Sequence, residues 1–287
     1  ATGFHAFDPS RFDTYSYADH PNVATALEFE RLLSAGGPTS GHLVLPSHLE
    51  RQQEAAELDK EIKKVDRQLK QTEEKQGKTT GEPENPAASG EARDEQVRQR
   101  AALTARLAEM RSRMAFIEAM KSRAHEPARI AWLQCVGSRD INRCDNGYCS
   151  GVCCMYAVKE AVIAREHAGG ELDAAIFFMD MRTYGKEFEQ YYNRARENGI
   201  RFVRSRIHSI EPVSDSDSLS LTYATESGEM VEEEFDMVVL SVGLESSTEV
   251  RGLADRLGVQ LNQYNFALTG SFTPVATSRP GIYACGI

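Results

Sequence analysis

The sequence predicts an α/β protein: a parallel sheet of Rossmann-like type, interrupted by an inserted antiparallel α-helical coiled-coil hairpin. Two patterns point there. Apolar runs at 130–136, 174–179, 200–203 and 237–241 alternate with helical segments at 150–167 and 185–198, the order of a parallel sheet with right-handed crossovers. Within residues 48–126, two charged segments carry apolar residues at alternating steps of four and three, on either side of a break rich in Gly, Pro, Ser and Asn. Composition bounds the rest. With 41% hydrophobic residues the chain can bury a sizeable core, and its net charge of −10 argues against a nucleic-acid surface. It contains no apolar run of about eighteen residues, so no membrane span is expected.

Residues 4–24 hold Phe4, Phe7, Phe12, Tyr15 and Tyr17, a density of aromatics that predicts an ordered loop. Thr25 and Glu28 form a capping box that starts a short helix through Leu33, and Gly36-Gly37-Pro38 stops it. Ser47 and Glu50 read as a second capping box. The helix it opens carries Leu58, Ile62, Val65 and Leu69; beyond the break at 77–90, a second carries Leu103, Leu107, Met110, Met114 and Ile117. The two are expected to fold back on each other as either a solvated arm or a docking arm, for a partner subunit or for a homodimer. Further on, 207–212, 218–224 and 230–235 alternate as an antiparallel meander, with Ser227-Gly228 in a turn.

Five of the six cysteines fall between residues 130 and 167. Cys135 ends a strand, Cys149 precedes a helix, and Cys153 and Cys154 lie in its first turn. A dinucleotide-binding βαβ unit would carry its glycine-rich phosphate loop at this place. Here thiols replace the glycines. Four thiolates from one loop and one helix start can converge on a metal, and the helix dipole favours their anionic form. A lone cysteine would read as a small buried hydrophobe, but four between Cys144 and Cys154 do not. With no visible signal peptide a disulfide framework is the weaker reading, and by spacing alone zinc and iron–sulfur stand level. Cys144 is the extra thiol, read as a loop residue.

The stretches QCVGSRD (134–140), YCSGVCCMYAVKEA (148–161), YGKEFEQYYNRARENGIRFVR (184–204) and VVLSVGL (238–244) resemble the A subunit of heterodisulfide reductases and its flavoprotein relatives. The resemblance covers residues 1–47 and 127–287. It implies an FAD-containing, iron–sulfur electron-transfer subunit with a pyridine-nucleotide-type domain like that of thioredoxin reductase. It also implies that Cys135, Cys149, Cys153 and Cys154 ligate a [4Fe–4S] cluster. Thr2 and Gly3 would mark the exit from the FAD domain, Gly243 the end of a strand beside it, and Gly286, in GIYACG, the strand returning to the flavin. The expected division is therefore 1–47 as link, 48–126 as hairpin, 127–244 as the cluster-bearing domain and 245–287 as return segment. No N-terminal glycine-rich FAD loop is present, so the chain alone is not expected to hold FAD tightly; beginning with ATGF rather than Met and ending at ACGI, it is expected to be the middle of a longer protein, inactive alone. The expected partners are other heterodisulfide-reductase-like or electron-transfer subunits, and the expected compartment is the cytoplasm.

Two other functions are weighed against this one. One is a zinc-stabilised scaffold whose hairpin binds a partner, and the other a thiol–disulfide enzyme using Cys149 or the vicinal Cys153-Cys154 pair, which would form a strained disulfide. Arg139 and Asp140 read as an ion pair holding the loop, with contact to a cluster sulfur as the alternative. Lys186, at the start of a predicted helix, would suit an anion but reads as a solvated lysine. The seven histidines show no paired spacing.

Overall fold

The computed structural model describes residues 3–78, 86–121, 127–214 and 216–286. The chain forms two compact units: Ala1–Leu45 with Glu126–Ile287, and Pro46–His125, which interrupts the first in sequence. In the first unit, β1 (Phe4–Ala6) leads through two 3-10 turns to β2 (Val23–Thr25) and α1 (Ala26–Leu33). The capping box is present, with Glu28 N–H donating to Thr25 Oγ1 at 3.4 Å and Thr25 N–H to Glu28 Oε2 at 2.7 Å. The aromatic segment before it is ordered, because Phe7, Phe12 and Tyr15 are buried in the main core.

The second unit pairs α2 (Pro46–Lys78) with α3 (Pro86–Lys121). Proline opens both, a residue suited to a helix's first position because its missing N–H is one the helix leaves unpaired. Ser47 therefore lies inside α2, one residue past its start. Val65, Leu107 and Met110 form the buried seam, with Leu58, Ile62, Leu69 and Leu103 packed against it. Arg113 donates to Glu54 at 2.6 and 2.8 Å, and Arg106 to Glu61 at 3.1 Å. A heptad forward on α2 is a heptad back on α3, so the helices run antiparallel.

The first unit resumes with β3 (Arg129–Val136), the single turn α4 (Ile141–Cys144), α5 (Cys153–His167), β4 (Asp173–Phe177), α6 (Phe188–Glu197) and β5 (Arg201–Val203). The meander β6 (Glu211–Pro212), β7 (Leu219–Ala224) and β8 (Met230–Phe235) follows, then β9 (Met237–Val242), β10 (Leu244–Ser246) and α7 (Thr248–Leu257). The main sheet is wholly parallel, in the order β2-β9-β3-β4-β5. Its β3 is buried on both faces, as a covered parallel strand must be. Ala131 and Leu133 face the core shared with Leu219, Leu221, Tyr223 and Phe235 of the meander, while Trp132 meets Phe29 of α1 edge to face at 5.4 Å. The order is helices, parallel sheet, meander. Among the described residues no helix is long and apolar enough to cross a membrane.

Four local expectations are corrected. β2 adds an edge strand where a loop is expected, since Val23, Ala24 and Thr25 find a parallel partner in β9. The expected strand at 207–212 shortens to Glu211–Pro212, because Ile207 and Ile210 are drawn into the core. α6 begins at Phe188, after Glu187 in the left-handed conformation, so Lys186 precedes the helix. GIYACG makes no strand: among the described residues it joins Ala276 through Tyr283 as an isolated bridge.

Candidate functional site

The site lies where β3 and β9 end side by side. From β3 the chain moves outward to β4 and β5, then returns to place β9 on β3's other side. Such a switch point opens a crevice at the carboxyl ends of the strands, the usual ligand position in parallel sheets. The pairing of β3 with β9 shifts register between Leu133 and Val136, and Cys135 there takes φ +63°. That bulge turns the Cys135 thiol out of the strand's alternation. Arg139, also at positive φ, donates its N–H to the Tyr148 carbonyl at 2.9 Å and so folds the loop back beside Cys149.

Cys153 and Cys154 are the first two residues of α5 and are buried. No side chain caps this helix start, and Cys149 Sγ accepts the Gly151 N–H at 3.4 Å. The four thiols lie close enough to feel one another's charge. Burial pushes Cys135 up to about 11, an effect the neighbouring Arg139 guanidinium eases. Cys153 donates its S–H to Cys154, which holds Cys153 up and brings Cys154 down; the Arg182 backbone N–H also favours the Cys154 thiolate. Cys154 is thus the more acidic thiol of the pair. All six cysteines are free, and among the described residues no group of three or more His, Cys, Asp or Glu side chains is placed to hold a metal ion.

Cys144 stands apart: its S–H donates to the Asp140 carbonyl at 3.2 Å within the α4 turn, and Cys285 is exposed. Arg139 and Asp140 do not pair with each other. Asp140 caps α4 through the Arg143 N–H at 3.0 Å and binds Arg206, while Arg139 grips Asp180 with both its terminal nitrogens, at 2.6 and 3.1 Å. Arg182 reaches the same carboxylate at 3.0 Å. Asp180 and Arg182 are the site residues that sequence reading misses. Their signal is positional, since both follow β4 just beyond its carboxyl end.

The expected flavin contacts are dispersed. Thr2 lies outside the described residues. Gly3 (φ +67°) and Gly286 (φ +130°) have nothing within 4 Å of where a Cβ would stand. Gly243 is closed in, its Cβ position 2.9 Å from Ser138 and 3.0 Å from Ser150, and its amide donates to the Val136 carbonyl at 2.7 Å.

Residues 158–286 match the family Pyridine nucleotide-disulphide oxidoreductase, beginning just after Cys154. The class that the sheet defines is therefore an α/β domain of the pyridine-nucleotide-disulphide-oxidoreductase type, as the sequence predicts. A solved thioredoxin reductase from Lactococcus lactis overlaps 56% of this chain and 44% of its own at 19% identity and a TM-score of 0.35, a likeness too slight to add weight. More particular is the similarity of the entire chain to the A subunits of heterodisulfide reductases. It is 31% identical over 288 residues to an A-subunit-like heterodisulfide reductase protein of Archaeoglobus profundus, and 31% identical over 292 to the second iron-sulfur A-type subunit of the CoB–CoM heterodisulfide reductase of Methanopyrus kandleri. Each match takes in 100% of this chain but only 33% and 32% of the relative. The chain is thus a heterodisulfide-reductase-A-like sequence spanning about a third of the length of the curated relatives it matches.

Proposed function

We propose that this chain is the cluster-bearing central segment of an electron-transfer oxidoreductase subunit resembling heterodisulfide reductase A. The observation that carries the reading is the set of four thiols at the switch point, where a dinucleotide-binding protein would keep its glycines. Cys135, Cys149, Cys153 and Cys154 would hold a [4Fe–4S] cluster. The reading rests on a wholly sulfur donor set with an uncapped helix N-terminus beside it; in this structure the described thiols are not drawn together into a metal-holding group. When bound, such a cluster supplies a one-electron relay.

The chain's own residues prepare that site. Cys154 is the more acidic of the vicinal pair, favoured by the Cys153 thiol and the Arg182 N–H, and the register shift before Val136 takes Cys135 out of the strand's alternation. In the full-length protein the group exchanging electrons with the site would be FAD. Gly3 and Gly286 would leave backbone open toward it, while Gly243 packs the cysteine loop. The electrons would pass to partner subunits, for which the antiparallel helices offer a docking arm or a homodimer contact. A cytoplasmic setting accords with six free cysteines.

Anaerobic purification followed by iron, acid-labile sulfide and zinc analysis tests this reading. About four irons and four sulfides per chain are expected, abolished by Cys153→Ser. One zinc without sulfide would overturn it in favour of the zinc-stabilised scaffold.

A further inference from the structure

We infer that residues 260–286 form a strap latched to the cysteine loop through Tyr148, so that the position of the strap sets the mobility of the loop segment that carries Cys149. The inference goes beyond the proposed function and holds whatever the thiols bind.

The strap takes no part in the core. Among the described residues none after Ala254 is buried, and every hydrogen bond that residues 260–286 make stays within that segment. Its first turn is built on Asn262, whose side-chain oxygen accepts the Tyr264 N–H at 2.9 Å and the Phe266 N–H at 3.1 Å, while the Asn262 N–H donates to the Phe266 carbonyl at 2.8 Å. That turn presents two rings to a third. Tyr148 lies 4.8 Å from Tyr264 and 5.2 Å from Phe266, centroid to centroid, the second pair edge to face at 87°. The fit continues at Gly147, where a Cβ would stand 2.8 Å from the Tyr264 hydroxyl oxygen.

Tyr148 is in turn tied into the cysteine loop. Its hydroxyl donates to the Leu244 carbonyl at 2.7 Å, its own carbonyl accepts the Arg139 N–H at 2.9 Å, and Cys149 follows it directly. Two aromatic pairs with no hydrogen bond across them make a contact that opens at far lower cost than unfolding the sheet. When it opens, the segment around Tyr148 loses its outer cover, while β3 keeps the core packing that buries it on both faces. The strap also carries exposed Leu268, Phe272, Val275 and Tyr283, so another surface can draw it away without taking any of these side chains out of the core.

The test is hydrogen–deuterium exchange of the full-length protein, read on peptides from 129–136, 137–151 and 260–268, for Tyr264→Ala, Gly147→Ala and the double variant Gly147→Ala with Tyr264→Phe. Tyr264→Ala is expected to speed exchange across 137–151 roughly three- to tenfold and to leave 129–136 at the parental rate. Gly147→Ala is expected to do the same, because its methyl group meets the Tyr264 hydroxyl first. The double variant removes that oxygen and is expected to return close to the parental rate. Faster exchange confined to 260–268 would overturn the latch, and so would a double variant that fails to recover. Equal acceleration in 129–136 would make the rings general packing and sink the proposal as well.

Discussion

Glu160 shows how one residue can bind the pH dependence of the fold to its core. It sits on α5, two turns beyond the cysteines, and is 3% exposed; its carboxylate accepts the Trp132 indole N–H at 3.0 Å. Burial pushes its pKa up to about 8. A carboxyl whose folded-state pKa is raised contributes fully below its ordinary value of 4.5, and that contribution is lost as pH rises toward about 8. The loss amounts to on the order of 4 kcal/mol by pH 9. Glu160→Gln keeps an acceptor for Trp132 but cannot ionise. Its melting temperature is expected to stay level between pH 5 and 9 while the parent's falls; parallel curves would refute the assignment. The glutamate is plain in the sequence, but its burial is not, because α5 packs against both α1 and the sheet and so hides a face that a surface helix would leave wet. Gly137 makes the same point. It lies in QCVGSRD, and a Cβ there would stand 2.0 Å from the Phe7 ring, 130 positions earlier in the chain.

At the level of elements, α2 and α3 separate what holds a hairpin from what decorates it. Leu107 is buried in the seam, and Leu107→Ala should cost about 2–4 kcal/mol of hairpin stability, measured as loss of helical circular dichroism on heating. Arg113→Ala, removing an exposed pair with Glu54, should cost less than about 1 kcal/mol despite the good geometry. A larger effect for arginine than for leucine would mean that charge, not packing, holds the helices together. This element was legible because heptad spacing survives in local sequence. Its start was not: Ser47 and Glu50 look like a capping box, and Pro46 takes the first helical position one residue earlier. Likewise β2 is only three residues long and gains its identity from β9, more than two hundred residues away, so no local pattern could show it.

For the whole molecule, the amino ends of the strands are clamped by charge as the carboxyl ends are by the cysteine loop. Asp173 accepts Arg201 at 2.7 and 3.3 Å and Arg129 at 3.1 Å, while Glu233 of the meander accepts both arginines and the Tyr223 hydroxyl. Partial burial works to raise the Asp173 pKa, but the hydrogen bonds from Arg201 and then Arg129 outweigh it, so the carboxyl sits below its ordinary 3.8. Its contribution is present above that value and is lost as pH falls through the lowered one. Asp173→Asn should therefore cost about 1–2 kcal/mol near pH 7, discounted for partial exposure, and the gap should close in strong acid. Denaturant titration at the two pH values checks it, and a gap that persists in acid would refute the clamp. Local pattern determined the parallel-sheet class, the meander, the helix pair and the sulfur-rich loop after β3, because period, spacing and residue chemistry are written within a few residues. Only the tertiary structure decided that β9 inserts beside β3, that Asp180 and Arg182 arrive from β4 to meet Arg139, and that Arg139 and Asp140 part to different partners. Those are meetings of segments distant in the chain, which depend on the order of strands in the sheet and leave no mark in local sequence.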